Sequence, residues 1–253
     1  MIRAVIIALA LVPAVAGPAH AEEIVLGLSQ EEVAITATFT GSEILIFGAV
    51  KRDAPIPAGS PLEVVITVSG PLTPVTVRHK EHRYGIWMNT ASVAVDAAPS
   101  FYAVATTGPM RDVLSETEDL RNSISIPRAI RSVGALVENS GDYTDALIRI
   151  RAGDGKYQVL EGAVDLEQET LFRTEVALPA NLIEGTYATR IFLTRDGQVV
   201  DSYSTEIAVQ KVGVERWLFN LSRDWPMAYG LLSLCIAIVA GWSASAAFQA
   251  LRR

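Results

Sequence analysis

Between residues 22 and 107, apolar and polar positions alternate with a period of two, which is the pattern of half-buried strands. Glycine and proline separate the runs, which predict strands over residues 24–28, 33–39, 44–50, 62–68, 75–79, 84–89 and 101–106. Seven short strands in about 85 residues are typical of an immunoglobulin-like β-sandwich, here expected over residues 22–108. By analogy with that fold, Trp87 is the candidate for its buried tryptophan.

The pattern changes between residues 109 and 155, where a helical insert is expected. Ile130, Val133, Leu136 and Val137 recur at helical spacing after Pro127, which predicts a helix over residues 127–138. Residues 112–121 and 143–151 are predicted to form two more helices. The acidic residues of the helix at 112–121, Asp112 to Asp119, are interpreted as a solvated helix face. A calcium loop is the alternative, but the glycine that such a loop needs is absent.

Alternation returns in a second, smaller β region over residues 156–212. Strands are predicted over residues 170–178, 186–194 and 198–209, and Asp196-Gly197 is a strong two-residue hairpin signal. These strands are too few to form a stable sheet alone. We expect them to pack on the helical insert or to form half of a second sandwich.

The first 21 residues have the three parts of a signal peptide. Arg3 precedes an apolar run over residues 4–16, and Ala19-His20-Ala21 is a cleavage site of the A-x-A type. Cleavage there makes Glu22 the first residue of the mature chain. An uncleaved N-terminal anchor is the alternative.

Residues 225–251 contain no charged side chain and predict one transmembrane helix over residues 226–251. Arg252 and Arg253 form the tail at residues 252–253, which the positive-inside rule places in the cytoplasm. Together with the signal peptide, this predicts a single-pass inner-membrane protein whose bulk lies in the periplasm.

Two features flank or lie within the predicted span. Residues 213–225 contain Trp217 and Trp225, which are expected to anchor an amphipathic segment at the membrane interface, although a plain linker is the alternative. Within the span, small residues recur every four positions and suit close helix packing against a membrane partner or a second copy. Ordinary small-residue content is the alternative interpretation of this set, which consists of Ser233, Ala237, Gly241 and Ser245.

Composition narrows the function classes. The chain has 28 acidic and 21 basic residues and a net charge of −7, spread along the sequence, which argues against a nucleic-acid partner. The one cysteine, Cys235, lies in the predicted span, so the exported part has no internal disulfide.

The richest candidate chemistry lies in residues 78–83. His79 and His82 are weak candidates for a metal site, because three basic neighbours repel a cation and zinc needs more ligands. A charged, solvated hairpin end is the simpler interpretation. A small anion such as sulfite is a further possibility, with the candidate residues Arg78, Lys80 and Arg83. No catalytic motif is recognisable, so we expect no enzyme and no cofactor.

Several short strings occur together in an order that resembles the alphaproteobacterial putative transmembrane protein family, over nearly the whole mature chain. They are Thr38-Phe39-Thr40-Gly41, Ile46-Phe47-Gly48, Tyr84-Gly85-Ile86-Trp87-Met88-Asn89, Phe101-Tyr102-Ala103-Val104-Ala105, Leu171-Phe172-Arg173, Leu178-Pro179-Ala180-Asn181, Gly185-Thr186-Tyr187, Glu215-Arg216-Trp217, Tyr229-Gly230-Leu231 and Gly241-Trp242. The family has no established activity, so no catalytic residue carries over. Its genes often sit beside a sulfite-exporter-like permease of the TauE/SafE type, which implies a membrane partner.

These observations predict a membrane-anchored periplasmic protein that acts as an accessory or interaction subunit of a membrane assembly. The alternative function is a periplasmic module that binds a small anion or a metal ion.

Overall fold

The alternating segments form strands in a computed structural model of the protein, which describes residues 22–30, 32–35, 41–52, 59–133, 140–211 and 214–251. The predicted signal peptide, the cytoplasmic tail and residues 36–39 of the second predicted strand lie outside these ranges. The strands are β1 Glu22–Leu28, β2 Glu32–Ile35, β3 Gly41–Arg52, β4 Glu63–Ser69, β5 Leu72–Arg83, β6 Ile86–Pro99, β7 Tyr102–Thr106, β8 Arg131–Val133, β9 Tyr157–Leu160, β10 Asp165–Glu167, β11 Leu171–Pro179, β12 Gly185–Arg195 and β13 Gln198–Lys211.

Helices are confined to the insert and to the C-terminal part of the described chain. They are α1 Met110–Val113, α2 Glu116–Asn122, α3 Ile126–Ala129, α4 Ser140–Gly153, α5 Val214–Asp224 and α6 Pro226–Leu251. Strands contain more of the described residues than helices do, so the predicted mainly β class is confirmed.

Two packed sheets form the body of the molecule. One has the order β1-β3-β11-β10, and the other has the order β2-β13-β12-β4-β7-β9. Their facing sides share one apolar core, in which Ile46, Val64 and Ile191 are completely buried or nearly so. Buried and exposed residues alternate along β11. Successive side chains of a strand point to opposite faces, so an alternating sequence can place its apolar residues in this core and its polar residues in solvent.

Strands from the two predicted β regions lie side by side in both sheets, which differs from the expected separation at residue 156. β11 pairs antiparallel with β3, and β12 pairs antiparallel with β4. The second region therefore completes the same sandwich as the first. The short sheet expected from its sequence is stable because the earlier strands supply its missing neighbours.

The helical insert covers the outer face of the six-stranded sheet and builds a second core with it. Ile124, Tyr102 and Phe192 are buried there. Arg190 of β12 fixes the end of α2, since its guanidinium donates hydrogen bonds to the carbonyl oxygens of Asn122 at 2.8 Å and Ser123 at 3.0 Å.

The helix predicted over residues 127–138 is found only as far as Ala129 and is wrong over residues 130–133. α3 ends at Ala129, and the next residues pair as β8 with the edge of β6, where Val133 lies opposite Val95. A free strand edge offers these residues backbone partners that helical spacing alone does not reveal. Residues 134–138 lie outside the described ranges. The helix predicted over residues 143–151 is confirmed as α4.

Candidate functional site

β4, β5, β6 and β7 together form one long hairpin with a bend. At the bend, the amide of Gly70 donates to the carbonyl of Phe101 at 2.8 Å, and the amide of Ser100 donates to the carbonyl of Pro71 at 2.9 Å. The ladder of β4 and β7 therefore continues into β5 and β6. We call residues 72–99 the ribbon and the bend its root.

The root is fixed by side chains from the helical insert and from β9. The hydroxyl of Tyr157 donates to the carbonyl of Pro99 at 2.9 Å, and Arg151 donates to the carbonyl of Ser100 at 2.8 Å. The Arg151 guanidinium lies 5.8 Å from the centre of the Tyr157 ring. Burial raises the pKa of Tyr157 to about 12, so its hydroxyl keeps its proton at neutral pH.

Burial ends partway along the ribbon. Val77 and Val93 lie opposite each other and are 7% and 2% exposed. Beyond this pair, every residue of the two strands is exposed except Glu81, which is half-buried. The last part of the ribbon, residues 78–92, is therefore a two-stranded arm with both faces open to solvent, and we call it the tip.

Large apolar side chains are exposed at the tip. Tyr84 is 100% exposed, Trp87 70%, Ile86 60% and Met88 43%. Tyr84 and Gly85 form the turn, with φ of 52° and 83°, where the sequence predicts the start of a strand. An apolar set of this kind on one projection is typical of an interaction surface.

Trp87 is not the buried tryptophan of a sandwich, so that expectation is wrong. It lies on the arm opposite His82, and the two rings meet edge to face with centres 5.4 Å apart. The alternation of residues 84–89 does not distinguish a strand beside a core from a strand that has left it.

The two faces of the tip divide the candidate ligand residues. His79, Glu81 and Arg83 share one face, where the carboxylate of Glu81 lies 3.8 Å from His79 and 2.8 Å from Arg83. Successive residues of a strand point to opposite faces, so Arg78, Lys80 and His82 lie on the other. The two histidines are therefore not brought together, and the three anion candidates are split between the faces. Within the described residues, no cluster of three metal-ligating side chains occurs.

A cleft of about 760 Å³ lies among α1, α2 and α3, and Arg111, Asp119 and Arg128 are in its lining. The carboxylate of Asp119 is already used, because it accepts bonds from the amides of Ile124 at 3.1 Å and Ser125 at 2.6 Å. Glu118 is buried, and Arg121 donates to it at 2.6 Å. These two carboxylates hold the insert together, which differs from the solvated face expected for this acidic segment.

The most enclosed ion pairs lie at the start of β1. The carboxylate of Glu22 is 2.7 Å from Arg52 and 2.8 Å from Arg195, and each of these three side chains is at most 10% exposed. Glu169 lies 3.3 Å from Arg195. Burial raises the pKa of Glu22, but the hydrogen bonds from Arg195 and Arg52 outweigh it and hold the pKa below 4.5. This cluster joins β1 to β3 and β12.

The C-terminal part of the chain contains the predicted membrane elements. α5 coincides with the expected interfacial segment, and Trp217 and Trp225 are 56% and 70% exposed. α6 follows directly, because the amide of Tyr229 donates to the carbonyl of Trp225 at 3.0 Å. Over Pro226–Ser245 this helix is long and apolar enough to cross a membrane.

The rest of the described chain does not cover α6, since none of the residues in its membrane-length window is buried. Ser233, Ala237, Gly241 and Ser245 are all exposed along it. The hydroxyl of Ser233 donates to the carbonyl of Tyr229 at 2.9 Å, which satisfies it within the helix. A Cβ atom at Gly241 would meet nothing within 4 Å.

Comparison with known families shows a match to a family described as putative transmembrane protein (Alph_Pro_TM), over residues 23–250. This range includes the sandwich, the ribbon, α5 and nearly all of α6. No curated protein matches the chain.

Proposed function

The chain belongs to this family of putative transmembrane proteins, and from that membership we propose that it is a membrane-anchored, non-enzymatic interaction subunit of a membrane assembly. In this proposal α6 crosses the inner membrane and the β-sandwich works on its periplasmic side. The predicted signal peptide and the two C-terminal arginines support this orientation.

The face of small residues along α6 is the observation that carries the proposal. A helix that only holds a domain at a membrane needs lipid around it and nothing more. α6 also presents small side chains at one turn's spacing along one face, where another helix can approach closely. Gly241 is the one glycine among the four and lies in the inner part of this face.

Its partner, in our proposal, is an integral membrane protein. The resemblance to a family whose genes neighbour sulfite-exporter-like permeases makes such a permease the first candidate. A second copy of this chain is the other, because one face of small residues also suits a symmetric pair of helices.

Mild-detergent extraction of the full chain from its native membranes tests the proposal. Native electrophoresis should show a complex larger than the monomer, and mass spectrometry of that band should identify the partner. Gly241→Leu should move most of the protein to the monomer position, because the added side chain separates the helices. Ser243→Leu adds similar bulk on the opposite side of α6 and should leave the complex intact.

Two outcomes have distinct meanings. Co-purification of two differently tagged copies would show self-association, whereas a permease in the band would show a mixed assembly. If the wild-type chain and both variants migrate as monomers, the proposal is wrong.

A further inference from the structure

We propose that the tip of the ribbon is a second membrane contact, which inserts its aromatic and aliphatic end among the headgroups of an anionic bilayer. This contact is separate from α6 and does not depend on a protein partner.

The order of side chains along the tip fits a lipid surface. Tyr84 lies at the end of the arm, and Ile86 and Trp87 follow within the next two paired positions. Lys80 and Arg78 lie further back towards the root. A projection built this way places aromatic rings at headgroup depth and cations at the level of the phosphates.

Both faces of the tip expose apolar side chains. Trp87 shares its face with His82 and Lys80, whereas Ile86 and Met88 share theirs with the ion pair of Arg83 and Glu81. Exposed apolar residues on both faces suit a medium that surrounds the tip, such as the headgroup region of a bilayer.

Charge complementarity also favours an anionic surface. The whole chain has a net charge of −7, but residues 78–92 contain three basic residues, one acidic residue and two histidines. The body of the protein is thus repelled by anionic lipids, while the tip is attracted to them. Among the strands of the described chain that expose aromatic residues, this arm has the largest positive balance.

The ribbon leaves the sandwich at the end from which the chain continues to the membrane. β13 ends at Lys211, and its Val209 pairs with Gly185, whose Cβ position lies 3.0 Å from Pro71 in the root. The ribbon is 12 to 14 residues long per strand, or about 40 Å, and only residues 212–213 separate β13 from α5, the expected interfacial segment. The arm is therefore long enough to reach the bilayer that holds α6.

Depth-dependent fluorescence quenching on the full chain tests this contact. The protein has four tryptophans, so replacing Trp217, Trp225 and Trp242 by phenylalanine leaves Trp87 as the single probe. This variant is placed in nanodiscs of phosphatidylcholine with phosphatidylglycerol, and brominated lipids serve as quenchers. In a matched control, all four tryptophans are replaced by phenylalanine and Tyr203→Trp supplies the single probe. Tyr203 lies on the sandwich and is 42% exposed.

The expected result is quenching of Trp87 by brominated lipid, with no quenching of the tryptophan at position 203. Arg78→Glu with Lys80→Glu, or high salt, should lower the Trp87 quenching by about two-fold or more. Arg149→Glu, an exposed charge reversal on α4, should not change it. Near-UV circular dichroism of each variant confirms that its fold is retained.

If Trp87 stays accessible to aqueous iodide and is not quenched by lipid in anionic nanodiscs, the contact does not exist. If Trp87 is shielded only after native membrane proteins are added, the tip binds a protein and the proposal is also wrong. Either result leaves the assembly proposed for α6 unaffected, because that assembly is measured through Gly241.

Discussion

Glu22 shows how one charged residue can join three strands. Its carboxylate accepts hydrogen bonds from Arg52 on β3 and Arg195 on β12, and little of any of the three side chains meets water. Such a buried group is favourable only while the charges balance. Removing this anion leaves two guanidinium groups in a poorly solvated place, with only Glu169 beside Arg195 to balance their charge.

We therefore expect Glu22→Gln to lower the free energy of unfolding by about 3 kcal/mol at pH 7. Glu23→Gln is the matched control, because its partner Lys51 is 60% exposed and such surface pairs contribute at most about 1 kcal/mol. Denaturation of the full chain in detergent, followed by near-UV circular dichroism, measures both. Equal losses in the two variants would contradict the assigned role of Glu22.

The lowered pKa of Glu22 predicts that the stability of the fold depends on pH. Because the pKa of Glu22 is lower in the folded chain than the usual 4.5, its ionised form stabilises the fold above that pH. This contribution is lost as the pH falls through the folded-state pKa. The stability difference between wild type and Glu22→Gln should therefore be constant from pH 7 to 5 and shrink below pH 4.5. A difference that persists at the lowest pH would contradict this account.

At the scale of the elements, the two-residue turn Asp196-Gly197 determines the geometry of the β12–β13 hairpin. Asp196 and Gly197 have φ of 49° and 74°, which is the left-handed geometry of a type I′ turn. A Cβ at Gly197 would also lie 3.1 Å from the amide nitrogen of Ser115, at the start of α2. The turn thus fixes both the register of two long strands and the position of the helical insert.

Gly197→Val should destabilise the protein by about 2 kcal/mol, because a β-branched residue disfavours positive φ and crowds Ser115. Asp196→Asn is the control, since asparagine tolerates the same backbone geometry and can still accept the bond from Ser60. Thermal unfolding of the full chain compares them. Equal melting temperatures for Gly197→Val and wild type would contradict this role of the turn.

Elements with local signals were predictable from the sequence, and those that depend on distant partners were not. The Asp196-Gly197 dipeptide and the uncharged run of α6 each determine their element by themselves. Ile130 and Val133 fit a helical period, yet β8 forms because β6 offers it a free edge. At the tip, the sequence located the basic residues, but the exposure of Trp87 depends on where the ribbon leaves the core.

At the scale of the whole molecule, the body of the protein behaves as one folding unit, because both sheets combine strands from distant parts of the chain. β3 and β4 each lie between an early and a late strand. The hydrophobic pattern indicates which face of a strand is buried, but it does not name the strand beside it. That is why two β regions were expected where one sandwich is found.

A fragment of residues 22–108 should therefore fail to fold. Without β11 and β12 it exposes the core faces of β3 and β4, including Ile46, Val64 and Ile66. A fragment of residues 22–211 keeps all strands of both sheets and should unfold in one cooperative transition. Circular dichroism and calorimetry distinguish them, and a cooperative transition in the shorter fragment would show that it is an independent domain.

The link between Glu22 and Arg195 also has a consequence for timing. The two residues are 173 positions apart, so a ribosome working at roughly 5 to 20 residues per second delivers the arginine about 10 to 35 s after the glutamate. During that interval the early strands present apolar faces with no sheet to cover them. The sandwich can therefore close only after β12 has been made, when α5 and α6 are the next helices to follow.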